Sequence, residues 1–206
     1  LVIATLLTSF LLVTNNKILI QEDFIFEIKH GSSLNEVANE LNERDLILSS
    51  FIFKLNAKIH NIDQSIKAGE YLLSTSESIF TLQRKFIEGK FFYRKLQLLE
   101  GMTTRDILNL SKSNGIVDDI DSDLEKLKLK LDINGQTEGL FFPDTFYYQK
   151  GDLFSSLLKR AFKKQQTVYF DLWQLRQEGL PYSSLIEAIT LASIIEKEGL
   201  EKEMIA

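Results

Sequence analysis

Glu196 closes the stretch LIEAITLASIIEKEG (185–199), in which nothing from Ala188 to Ile195 is charged. A carboxyl group in apolar surroundings resists ionisation, so its pKa climbs towards neutrality and it can give a proton to a leaving oxygen as a general acid. At about 100° per residue, Ile189, Ala192, Ser193 and Glu196 share one helical stripe, while Glu187 and Glu198 lie about 180° and 200° away. The small side chains of Ala192 and Ser193 leave room for a reacting group. A glutamate at a helix end also has a plain structural use, pairing with Lys197 or a neighbouring turn, and the residues alone leave both readings open. The segment that carries Glu196 is apolar nearly all round, the pattern of a helix packed inside a domain. Pro181 breaks the chain before it, and Ser184 followed by Glu187 has the spacing of a capping box.

Other chemistry has little material. There is no cysteine, which excludes disulfides, thiolate nucleophiles and Cys-based metal sites, and His30 and His60 are the only histidines. His30 is expected at a strand end and His60 at a helix C-terminus, where an imidazolium is mildly favoured. Asp119, Asp121 and Asp123 alternate like the start of a calcium loop. Leu124 and Lys130 stand where such a loop needs glycine and glutamate, so the segment reads as an acidic helix start before LEKLKLKL, and no metal or cofactor is expected. A net charge of −5 and a pI near 5.2 argue against a nucleic-acid partner.

EGLFFPDTFYY (138–148) is the second stretch able to contact a ligand. Gly139 and Pro143 set a turn, five aromatic rings follow, and Glu138 and Asp144 supply carboxylates. Aromatic faces beside carboxylates hold sugar rings, and they are equally ordinary core and turn material. Lys159, Arg160, Lys163 and Lys164 form a basic face, read as solvated or as an attraction for stem-peptide carboxylates or anionic headgroups.

The elements that must position these groups point to an α+β fold. Leu1–Val13 is uncharged and apolar but as a helix spans only about 20 Å against a hydrocarbon core of about 30 Å. It is expected to be the trailing part of a truncated transmembrane helix (1–15), with a signal-peptide core or a buried N-terminal helix as rivals. A polar connector follows to Asp23. FIFEIK alternates as a strand, Ser33 and Glu36 open a capped helix, a second helix covers Ser50–Ile59, and GEYLL makes a short strand. This strand–helix–helix–strand unit (24–74) resembles a LysM-type module, a fold associated with glycans containing N-acetylglucosamine; a spacer role is the competing use. Ser76-Glu77-Ser78-Ile79 starts another helix, Phe91–Leu99 reads as a long strand, and Gly101-Met-Thr-Thr-Arg-Asp-Ile repeats the glycine turn and hydroxyl cap that follow FIFEIK. Gly151–Glu178 reads as an amphipathic helix burying Leu153, Phe154, Leu157, Leu158, Phe162 and Leu172. Gly199 is expected to end the helix of Glu196, with a further helix beginning at EKEMIA.

PYSSLIEAITLASIIEKEG resembles the stretch around the catalytic glutamate of the endolytic murein transglycosylases, bacterial enzymes that cut peptidoglycan, and EGLFFPDTFYY is similar to a second signature of that family. The resemblance covers the earlier part of such a protein and implies that 75–206 is the N-terminal part of a mixed α/β catalytic domain. It implies that Glu196 is the catalytic residue, with no cofactor. It also implies a single-pass protein of the bacterial cytoplasmic membrane, held through its N-terminal helix with the bulk of the chain outside. Its partner would be the peptidoglycan glycan strand, and peptidoglycan synthases are further partners the resemblance allows. Two alternatives stay open: a membrane-tethered peptidoglycan-binding scaffold without activity, and a two-carboxylate hydrolase pairing Glu196 with Asp144 or Glu138.

Overall fold

The computed structural model describes residues 18–60, 66–75 and 77–205, with 196–205 described as backbone alone. Leu1–Val13, and with it the expected membrane helix, lies outside the described residues. Among the described residues, no helix is long and apolar enough to cross a membrane. The chain divides into two units, Leu1–Arg94 and Lys95–Ala206.

In the first unit, β1 (Phe24–Ile28) points Phe26 and Ile28 inward and pairs antiparallel with β2 (Gly69–Leu73), Phe24 opposite Leu73 and Ile28 opposite Gly69. Between them run α1 (Leu34–Glu43) and α2 (Ser50–Ile59), the order the sequence predicts. The capping box forms as its spacing requires: the Glu36 N–H donates to Ser33 Oγ at 3.3 Å, and the Glu36 carboxylate accepts the Ser33 N–H at 2.7 Å. His60 caps the C-terminus of α2, its Nδ1 lying 2.9 Å from the Asn56 carbonyl. A third helix, α3 (Ile79–Glu88), is started by Ser78 and places Leu82 and Phe86 in the same core as Phe26, Leu41, Phe53 and Tyr71. The compact unit therefore continues past residue 74 to Arg94.

Order also begins earlier than the polar connector suggests. Ile18 is buried in this core, and the Ile18 and Leu19 N–H groups donate to the Glu77 and Leu46 carbonyls at 2.8 and 3.0 Å.

The long strand expected over Phe91–Leu99 is instead divided. The Phe91 ring lies against Gly69, where φ is +147° and a Cβ would come within 2.7 Å of the ring, and the Phe92 N–H donates to the Glu70 carbonyl. Only Arg94–Gln97 forms β3, which pairs with β4 (Thr145–Tyr148) in the second unit. One stretch of extended chain thus serves two cores.

The second unit adds α4 (Thr104–Asn109), where the expected hydroxyl cap is Thr103, which forms a capping box with Asp106, then a 3₁₀ turn at Leu110–Lys112 and α5 (Leu124–Leu131). The three aspartates before α5 each have a structural partner. Asp119 accepts the Ser155 N–H and hydroxyl at 2.9 and 2.6 Å and pairs with Lys130; Asp121 pairs with Lys126; Asp123 caps α5. Burial pushes the Asp119 carboxyl up, but the bonds from Lys130 and Ser155 outweigh it and hold its pKa at about 2.

Two long helices finish the unit, α6 (Phe154–Gln174) and α7 (Leu185–Ile205). The first half of α6 supplies Phe154, Leu157, Leu158 and Ala161 to a core shared with Leu96, Leu98, Ile120, Leu127, Phe146 and Tyr148. Leu153 and Leu172, expected on that buried side, are exposed. Gly199 lies within α7 and does not end it: a lone glycine costs a helix only about 1 kcal/mol relative to alanine.

Candidate functional site

The turn at Glu138–Pro143 is fastened to α6 by its backbone. Gly139 adopts φ +72°, a left-handed conformation that glycine takes without strain, and its carbonyl accepts the Tyr169 hydroxyl at 2.9 Å. The Phe142 N–H donates to the Ala161 carbonyl at 3.3 Å, and Arg160 donates to the Tyr147 carbonyl at 2.7 Å. Burial raises the Tyr169 phenol above its ordinary pKa.

Of the aromatic residues here, Phe141, Phe146 and Tyr148 belong to the core, whereas Tyr147 is exposed and Phe142 half-buried beneath the Lys164 ammonium, 4.5 Å from the ring centre. The packing use of these rings therefore takes three of the five.

The two carboxylates of the stretch are also committed. Glu138 accepts the Thr104 N–H at 3.0 Å, at the start of α4. Asp144 is paired with Lys164 and accepts the Thr145 N–H at 2.7 Å, and these bonds, Lys164 first, hold its carboxyl below its ordinary range. A carboxylate kept ionised in this way is poorly suited to donate a proton.

Helix α7 starts as expected, with one shift. The Glu187 N–H donates to Ser184 Oγ at 3.2 Å, but the Glu187 carboxylate reaches back to the N–H and hydroxyl of Ser183 at 2.8 and 3.2 Å. These bonds, the Ser183 N–H first, lower its pKa.

The expectation that the helix is buried is overturned for its described side chains. Leu185, Ala188 and Ile189 are half-buried, while Ile186 is 76% and Ile195 62% exposed. The core closes without α7: among the described residues, every side chain in it comes from Leu96 to Ala161. A helix apolar on all sides can bury only the stripe that meets a neighbour, and here that stripe is narrow. Glu196 itself stands in α7, and its side chain lies outside the described residues.

The two stretches meet in one cleft of about 590 Å³, the scale of a small-ligand site. Glu138, Gly139 and Leu140 line it from the turn, Phe162 and Tyr169 from α6, and Ile186, Ile189 and Thr190 from α7. A second pocket of about 570 Å³ is also lined by Glu138, with Thr103, Thr104, Arg105, Asn109 and Ser122. Tyr169 was hidden in the sequence among the outward residues of a long amphipathic helix. Asp132 and Gln136, also at the cleft, lie in a stretch that reads only as polar. By helical register, position 196 stands two turns beyond Ile189, about 20° from the same line and about 10 Å along the axis.

The model of the YceG-like family matches residues 26–206. Among solved structures, a 2.6 Å crystal structure of a yceG-like protein from Listeria monocytogenes is 20% identical, with a TM-score of 0.33; the match covers 75% of this chain and 58% of that one. The chain thus spans less than two thirds of that relative's length. No curated protein matches.

Proposed function

This chain belongs to the YceG-like family, and from that premise we propose that it is an endolytic peptidoglycan lytic transglycosylase with Glu196 as its catalytic residue. It cuts the bond between N-acetylmuramic acid and N-acetylglucosamine in nascent glycan strands and so ends their growth. The observation that carries this reading is the meeting of the turn at Glu138–Leu140 and the helix of Glu196 on one cleft.

In this mechanism, protonated Glu196 gives its proton to the glycosidic oxygen as that bond breaks and positive charge develops at the anomeric carbon. The carboxylate so formed takes the proton of the same sugar's C6 hydroxyl, whose oxygen closes the 1,6-anhydro ring. The proton returns to Glu196 and no water is consumed. One carboxylate suffices, whereas hydrolysis generally employs two. Asp144, held ionised by Lys164, is unsuited to be the acid, and Glu138 is engaged by the Thr104 N–H, which leaves the acid role to Glu196. The exposed Ile194 and Ile195 would be covered by the bound strand. Cover of that face by the strand would exclude water there, and a carboxyl group in such surroundings takes up and holds a proton.

The first unit, strand–helix–helix–strand with an added helix, would hold the glycan in the manner of a LysM-type module. Leu1–Val13 would anchor the chain in the cytoplasmic membrane with the rest outside it. Mass spectrometry of muropeptides released from isolated peptidoglycan tests the reaction. Anhydro-ended fragments support it. Reducing-end fragments, heavier by one water, assign a hydrolase, and binding without release assigns the scaffold.

A further inference from the structure

From α2 and the segment beside it, we infer that the first unit carries a bilayer-docking face, which lays the unit against anionic headgroups on the side where the chain emerges. Phe51, Leu55 and Ile59 follow one another at four-residue intervals, within about 80° of helix surface, on the side opposite Phe53, Asn56 and Ala57. All three are exposed, Phe51 at 69%. Leu48, just before the helix, and Leu19, whose N–H is bonded to the Leu46 carbonyl, are exposed as well.

The charge on α2 has one sign. Lys54 and Lys58 lie within about 60° of Phe51 on the helix surface, and α2 contains no acidic residue, although the chain as a whole has a net charge of −5. An apolar stripe flanked by lysines is the pattern of a helix lying in a membrane interface, rings and aliphatic chains among the acyl groups and ammonium groups at the phosphates.

Chain length fixes the location. Between Val13 and Ile18 stand only Thr14, Asn15, Asn16 and Lys17. Five Cα–Cα steps reach at most about 18 Å. If Leu1–Val13 is membrane-inserted, as the function proposed above assumes, buried Ile18 and exposed Leu19 beside it are held within that distance of the bilayer. The docking face therefore rests partly on the anchor reading. It goes beyond that reading in orienting the unit as well as tethering it.

Because the chain has no cysteine, single-cysteine variants report one site each. The full chain is reconstituted into vesicles of phosphatidylethanolamine and phosphatidylglycerol with a fluorophore at Phe51→Cys, Leu55→Cys, Leu7→Cys or, as an off-face control, Lys29→Cys. Each label is challenged with aqueous iodide and with brominated lipid. Docking predicts that the labels at 51 and 55 are quenched by brominated lipid and shielded from iodide, while the label at 29 stays open to iodide. Neutralising Lys54 or Lys58 should shift the docked fraction by roughly fivefold each. Labels at 51 and 55 as open to iodide in vesicles as in detergent overturn the docking face. Shielding that persists without lipid and grows with protein concentration also overturns it, assigning the face to a second copy. The label at 7 reports on the anchor separately: lipid contact at 7 with none at 51 sinks the docking and leaves the anchor. Contact at 51 with none at 7 supports the docking and removes the anchor.

Discussion

The two stretches that meet at the cleft differ in what their apolar residues do. EGLFFPDTFYY reads equally as ligand-facing surface or as core, and the core use prevails for Phe141, Phe146 and Tyr148, while its carboxylates hold a helix start and a lysine. LIEAITLASII looks like core, yet most of its large apolar side chains face out. The aromatic stretch is therefore the scaffold that sets the cleft's wall. The apolar helix is the adaptable side, with surface still to be covered.

The widest separation between the two should appear in stability. Phe146→Ala removes a nearly buried ring from the core and should cost about 3–5 kcal/mol in urea or thermal denaturation. A loss under about 1 kcal/mol would mean that the stretch is not scaffold. Gly139→Ala forces a side chain into the left-handed region beside Tyr169 and should cost about 1–2 kcal/mol. It should also lower strand cleavage, because the wall moves. Normal activity together with normal stability would separate this turn from the site.

Asp119 sharpens the comparison through pH, since it ties the start of α6 to the body through Ser155. Its folded pKa, about 2, lies below the unfolded value of about 3.9. The stabilisation is therefore fully present above the unfolded value and is lost as pH falls through the folded one. Wild type should be more stable than Asp119→Asn at pH 7, and the difference should close between about pH 4 and pH 2. A difference that does not change with pH would refute the pairing. The smallest expected stability change is at Ile186→Ser: within about 0.5 kcal/mol of wild type, but with a severalfold rise in KM if this face receives the strand.

What the sequence made legible was local. The box at Ser33/Glu36 and the hydroxyl cap after Gly101 form because both partners lie within one turn, and FIFEI alternates because a sheet has two faces. Glu138 bonds a residue 34 positions away, Ser155 meets Asp119 across 36, and Tyr169 reaches Gly139 across 30, none of which a short window contains. The break at Pro181 and the cap at Ser184 identify the start of α7, but an all-apolar run says nothing of what covers it. The division of Phe91–Leu99 between two cores was likewise invisible, because Phe91 is anchored by the approach of Gly69.

The central claim is that a single carboxyl group, Glu196, both gives and takes the proton. The direct test is the rate of anhydro-muropeptide release by Glu196→Gln, with circular dichroism to confirm the fold. The amide cannot deliver the proton, so release should fall by roughly 10²–10⁴-fold or more with the spectrum unchanged. A folded Glu196→Gln protein that still releases anhydro ends near the wild-type rate would contradict the account.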